Sequence, residues 1–292
     1  MSILDNLNLF QLIGVLILSL VPTLLLLTLV LYADRKDREP THLIIICMLS
    51  GLFTISLSIL LGKILVPSLD VFKDGVFNTE QFSVFKIGVL ALIEEVSKFI
   101  VLYFFMAHNK KFDELFDGFV YSSIIALSFA SIETLMYVFN EATYQDMTSL
   151  AVLRNFTTIP LHLVCGISMG YYVAIERFSK SNNYKIRKLF KAIMIPTFIH
   201  TVYNSFFSLT LNSLNSKPYS LLIIILFLVS VYVIGIDYLE RTVKINKMYE
   251  KDEGYTNYYK NLMTKTEFLT KQVKKEVKEI KEIEDDFIPY LN

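Results

Sequence analysis

The chain has 292 residues, 53% of them hydrophobic and 19% charged, with 28 basic and 28 acidic side chains and no formal net charge. Soluble domains carry about 45–50% apolar and about 25% charged residues, and the charge here is crowded at one end, since positions 239–292 hold 11 of the 28 Lys and Arg. Long apolar runs before that point exclude a soluble globule, and the balanced charge excludes a nucleic-acid binder.

Crossing about 30 Å of hydrocarbon takes roughly 20 predominantly apolar residues. Seven segments qualify: 9–32, 42–66, 83–107, 117–139, 151–175, 189–211 and 219–238. The opening MSILDNLNLF has no basic signal-peptide region, so the first run is expected to be a retained helix. The first two spans and the last are uninterrupted. The middle four carry ionisable residues, which would mark them down on a strict hydropathy cut-off. Cys47 and Cys165 lie inside apolar runs and are expected to pack as small hydrophobes. Loops 33–41, 108–116 and 176–188 hold three, two and five Lys or Arg, whereas loops 67–82, 140–150 and 212–218 hold one, none and one. The excess cations belong in the cytoplasm. The predicted fold is therefore an all-α, polytopic membrane helix bundle of about seven spans, N-terminus outside and C-terminus inside.

Two domains are expected, a transmembrane helical domain over 1–238 and a charged cytoplasmic tail over 239–292. In the tail, Leu269, Val273, Val277, Ile280 and Glu284 recur at three- and four-residue steps among Lys and Glu, the pattern of an amphipathic helix. It suits a solvated helix, or a surface for a cytoplasmic partner or self-association.

Ionised side chains at the bilayer centre cost at least about 2.5–3.5 kcal/mol on insertion scales, so they are rare and usually functional. Four consecutive spans carry them: Glu94, Glu95 and Lys98 on 83–107, Glu133 on 117–139, Arg154 and His162 on 151–175, and His200 with Asn204 on 189–211. Glu94 and Lys98 are four apart, so a pairing is expected, with Glu95 about 100° around the axis in different surroundings. Lys98 then serves as counter-charge. Glu133 should lie level with Arg154, which either pairs with it or snorkels outward. Two stripes of small residues, Gly118/Ser122/Ala126/Ala130 and His162/Gly166/Gly170, would let helices approach closely. Pro160 and Pro196 each remove one backbone hydrogen bond beside a histidine and are expected to open kinks. His42 and His108, at the ends of spans, are interfacial bystanders.

A buried carboxylate with imidazole and amide donors can hydrolyse an amide, the base taking a proton from water while the donors stabilise the oxyanion. Glu94 suits the base, with His200 and Asn204 as donors. No HExxH or GxSxG is present. This chemistry needs no cofactor, although Glu94, Glu133, His162 and His200 could also bind Zn²⁺, and spacing alone does not separate the two.

EEVSK (94–98), DGFVYSSIIALSFASIETLMY (117–137), RNFTTIPLHLVCG (154–166) and PTFIHTVYN (196–204) resemble, in order, the four motif blocks of the PrsW family of bacterial intramembrane proteases. That family is grouped with the CAAX-processing and bacteriocin-processing glutamate proteases. The resemblance covers about 83–211. It implies site-1 cleavage of a single-span, membrane-anchored anti-sigma factor in the bacterial cytoplasmic membrane, as part of a stress response. It further implies Glu94 as general base within a glutamate pair with Glu95, Glu133 where related enzymes place a histidine, His162 as the third-block histidine, and His200 and Asn204 as oxyanion donors. Thr134 departs from the pattern, since Asn often follows that glutamate. A proton-coupled secondary transporter would also use buried Glu and His, but it favours internal repeats, and none is visible. A membrane scaffold acting through its tail would leave the buried set without a role.

Overall fold

A bilayer offers no hydrogen bonds to a peptide backbone, so lipid-exposed segments must satisfy their N–H and C=O groups internally, as helices or closed barrels. In the computed structural model of this chain, which describes residues 7–35, 38–65, 84–178, 182–213 and 220–251, the apolar runs form helices. The order is α1 (Leu9–Ala33), α2 (Thr41–Leu65), α3 (Val84–Ile100) continuing through a π-helical turn at Val101–Met106, α4 (Leu115–Val138), α5 (Tyr144–Phe156), α6 (Thr158–Arg177), α7 (Asn182–Ser213) and α8 (Ser220–Lys251). The protein is an all-α membrane helix bundle. It divides into compact units at Met1–Val243 and Lys244–Asn292. The periodic tail segment from Leu269 to Glu284 and the loop 67–82 lie outside the described residues.

Among the described residues, four stretches are long and apolar enough to cross a membrane: Leu9–Ala33, Thr41–Leu65, Leu115–Val138 and Tyr144–Arg177. Two of these belong to the four spans expected to fail such a test. Their few ionisable residues are outweighed by the surrounding apolar runs.

Composition sets which helices are peripheral. α1 and α2 are apolar all round, and only 22% and 28% of their apolar windows is buried, against 83% for α4. α1 buries one stripe, Val15, Ser19, Thr23, Leu27 and Val30, at steps of three and four residues. Its start is fixed by a capping box in which Asn8 Oδ1 accepts from the Gln11 N–H at 2.9 Å and Gln11 Oε1 accepts from the Asn8 N–H at 3.0 Å. α4 is the central helix, packed against α1, α2, α5 and α6.

Small residues set the closest approaches. A methyl at Gly118 would lie 2.6 Å from the Gly170 carbonyl oxygen, and one at Gly166 would lie 2.7 Å from Ala126 Cβ and 2.8 Å from the Ser122 carbonyl oxygen. The two small-residue stripes thus face each other across α4 and α6, backbone against backbone. Gly51 does the same for α2 against Ser128. α8 closes over α6 and α7 through Leu161, Val164, Cys165, Ile199, Tyr203 and Val231. Both cysteines are buried and free.

Three expectations need correction. The span 151–175 is not one helix: it breaks at Thr157 (φ −119°, ψ −70°) between α5 and α6. Pro160 permits the break. It sits in the first turn of α6, where its missing N–H goes unmissed, and could not have continued α5 unkinked. So Pro160 starts a helix where a kink was expected, whereas Pro196 does lie inside α7. The last helix also runs beyond 238 to Lys251, because helix-favouring residues follow and Arg241 pairs with Asp237 at 2.8 Å one turn back.

Two polar anchors lie away from the ionisable set. Arg177 donates to the carbonyls of Phe112 at 2.7 Å and Asn109 at 2.9 Å, and also to that of Ala107, tying α6 to the α3–α4 connection. The Tyr121 hydroxyl donates to the Glu39 carboxylate, holding the α1–α2 connection against α4.

Candidate active site

The buried face of α3 begins with Ile87, Leu90, Ala91 and Ile93 and continues into Glu95, Ser97 and Lys98. The same periodicity that buries the aliphatic residues therefore carries polar ones inside. Glu95 Oε1 accepts from Lys98 Nζ at 2.8 Å and from His200 Nδ1 at 2.9 Å. Lys98 Nζ in turn donates to His162 Nδ1 at 2.8 Å and lies 4.3 Å from the centre of the Phe129 ring. Lys98 thus pairs with Glu95, not with Glu94 as expected. Residues three and four apart both fall within reach on a helix, and the ammonium turns toward the side where α6 supplies an imidazole.

Glu94 keeps a small exposure, 16% of its side chain, and its Oε2 faces His200 Nε2 at 3.8 Å. That oxygen is buried and has no hydrogen-bond partner among the described residues; the same holds for Glu95 Oε2. The two adjacent carboxylates were expected in separate surroundings, yet they address the two nitrogens of one histidine.

The second half of the cluster is built on α4, α5 and α6. Glu133 Oε2 accepts from Arg154 Nη2 at 2.6 Å and from His162 Nε2 at 3.0 Å. Arg154 is turned inward. Its Nε donates to Thr134 Oγ1 at 3.1 Å, and its guanidinium lies 4.5 Å from the centre of the Tyr137 ring. The helix break at Thr157 lets Arg154 at the end of α5 and His162 in α6 reach one carboxylate. The His162 and His200 rings meet edge to face with centres 4.9 Å apart, and Phe129 packs against His162 at 5.3 Å. Glu94, Glu95, Lys98, Glu133, Arg154, His162 and His200 are therefore one connected group. Asn204 is half-buried one turn beyond His200 on α7.

Sequence reasoning noted Thr134 only as a departure from the family pattern, not as the residue that holds Arg154, and left out Tyr203, whose hydroxyl lies 3.0 Å from Thr158 Oγ1 at the head of α6. Both had a signal. Thr134 is adjacent to Glu133, and Tyr203 follows His200 by three positions, on the same face of α7.

A catalytic zinc takes three protein ligands and keeps one open position. Glu94, His162 and His200 each offer one donor atom within 4.8 Å of the others. Both nitrogens of His162 are already engaged, Nδ1 by Lys98 and Nε2 by Glu133. His200 has only Nε2 free of Glu95. Within that set, Glu94 Oε2 and His200 Nε2 are the donors left, so Glu94, His162 and His200 as hydrogen-bonded here do not make a three-ligand zinc site.

The family model described as "PrsW family intramembrane metalloprotease" matches residues 39–234. The chain is 28% identical over 232 residues to Protease PrsW of Clostridioides difficile, covering 79% of this chain and 92% of that protein. It is 31% identical over 186 residues to Protease PrsW of Oceanobacillus iheyensis (64% and 79%) and 24% identical over 186 residues to Protease PrsW of Bacillus subtilis (64% and 79%). No solved structure matches significantly. The matched region spans the α3, α4, α6 and α7 residues that meet in this cluster, on a scaffold of apolar helices, and places the chain in the PrsW family as an intramembrane peptidase.

Proposed function

We propose that the chain hydrolyses a peptide bond in a single-span protein of the bacterial cytoplasmic membrane, by site-1 cleavage of an anti-sigma factor, with Glu94 as the base. The observation that carries the reading is Glu94 Oε2, buried, without a hydrogen-bond partner among the described residues, and 3.8 Å from His200 Nε2. A buried carboxylate oxygen without a hydrogen bond is costly unless something uses it. Here it faces the His200 imidazole, and a water lying beside the pair can bond to both.

In this mechanism the Glu94 carboxylate takes a proton from water as the water attacks the scissile carbonyl. Glu95 accepts from His200 Nδ1 and so fixes the ring with Nε2 toward Glu94. Carrying a proton, Nε2 donates to the developing oxyanion together with the Asn204 amide, and Glu94 passes its proton to the leaving amine. Glu133 and Arg154 hold His162 from the far side. No cofactor enters the scheme. The loop cations support a cytoplasmic C-terminus, and the tail 239–292 forms a cytoplasmic domain outside this chemistry.

The direct test is cleavage of a single-span substrate by the protein reconstituted in liposomes, wild type beside Glu94→Ala. Loss of cleavage in the variant is expected. Equal cleavage by both discards Glu94 as the base.

A further inference from the structure

The hydrolytic scheme makes no use of Lys98, yet Lys98 is almost wholly buried and stands at the centre of the cluster. Burying a lone ammonium costs several kcal/mol, so its partners must account for it. They are Glu95 Oε1 at 2.8 Å, the face of Phe129 at 4.3 Å and His162 Nδ1 at 2.8 Å. The last is the informative one. An ammonium has three donors and no acceptor, so Nδ1 of His162 must present its lone pair and the ring proton must sit on Nε2. Nε2 then donates to Glu133 Oε2 at 3.0 Å, and both ring nitrogens are committed.

A histidine that ligates a metal almost always donates its other ring N–H to a carboxylate, a carbonyl or water. Here Glu133 supplies that carboxylate, and the position facing Nδ1 is taken by an organic cation. A divalent ion would need the same lone pair and would stand beside a second positive charge. We propose that Lys98 is a positioning residue and the resident cation of the site: it locks His162 as the Nε2–H tautomer and closes the Glu94–His162–His200 donor set to divalent metal. The family description speaks of a metalloprotease; the contacts of Lys98 argue against a metal on His162 Nδ1. The idea rests on the reading of Glu94 and His200 as the reacting pair, but metal exclusion is measured without any cleavage.

The experiment uses the full chain in detergent micelles, stripped with a chelator and titrated with Co²⁺, followed by visible absorption and by thermal unfolding. Wild type is expected to show no tetrahedral cobalt band and no shift in Tm. Lys98→Met frees Nδ1, so it should gain the band at one equivalent and a Co²⁺-dependent rise in Tm. Adding His162→Gln to Lys98→Met should abolish both. A merely structural lysine predicts no gain of cobalt binding in Lys98→Met, and that result overturns the proposal. So does a one-equivalent cobalt band in wild type that His162→Gln removes. If Lys98→Met does not fold, the comparison of wild type with His162→Gln still decides, as does nitrogen NMR of the His162 ring: a proton found on Nδ1 refutes the tautomer lock. Failure of the proposed function reads differently. In that case Glu94→Ala cleaves like wild type whatever cobalt does.

Discussion

Adjacent glutamates on one helix offer a paired experiment, because the structure gives them opposite burdens. Glu94 Oε2 has no hydrogen-bond partner among the described residues and nearest faces His200 Nε2 at 3.8 Å. Glu95 is wholly buried and its Oε1 serves Lys98 and His200 at 2.8 and 2.9 Å. Glu94→Gln keeps the shape and removes the base. General-base catalysis contributes about 10²–10⁴-fold, so kcat should fall by that factor, which corresponds to roughly 2.7–5.4 kcal/mol of barrier. The fold should be unchanged in stability or gain slightly, since no formed bond is lost. Glu95→Gln leaves the Lys98 ammonium buried without its carboxylate, and breaking a buried pair from one side costs about 3–5 kcal/mol. It should therefore lower Tm markedly as well as activity. The assay is cleavage of a liposome-reconstituted single-span substrate, with thermal unfolding measured on the same preparations. A Glu94→Gln enzyme with unreduced kcat, or a Glu95→Gln protein melting like wild type, would refute the division of labour between them.

Three further outcomes follow from the packing. Gly166→Ala puts a methyl 2.8 Å from the Ser122 carbonyl oxygen; backbone cannot yield as a side chain can, so a loss of about 1–3 kcal/mol is expected in unfolding experiments. Arg154→Met strips Glu133 of its cation and should cost about 3–5 kcal/mol, whereas Arg154→Met with Glu133→Gln should cost less than the sum of the two single changes, because the two residues share one interaction. Tyr203→Phe removes the hydroxyl that meets Thr158 at 3.0 Å and should lower stability by about 1 kcal/mol, with a loss of kcat of less than tenfold if Tyr203 only steadies the start of α6.

Much of this protein was legible without coordinates. The apolar runs determined that it is a membrane helix bundle, because a bilayer leaves the backbone few alternatives. The clustering of Glu94, Glu95, Glu133, His162 and His200 on consecutive spans pointed to side chains that meet inside the bundle, because such residues are too costly in lipid to be scattered idly. The small-residue stripes named the close α4–α6 contact. Partner choice was not legible. Whether Lys98 turns to Glu94 or Glu95 depends on which neighbouring helix offers a third group, and that group, His162, is 64 positions away. The break at Thr157 was hidden for a related reason: Pro160 permits either a kinked helix or a new one, and only the packing of α5 and α6 around Glu133 selects between them. Helical period tells which side chains share a face. Which atoms meet across faces is decided by how the helices are rotated and spaced against each other, and that is a property of the assembled bundle.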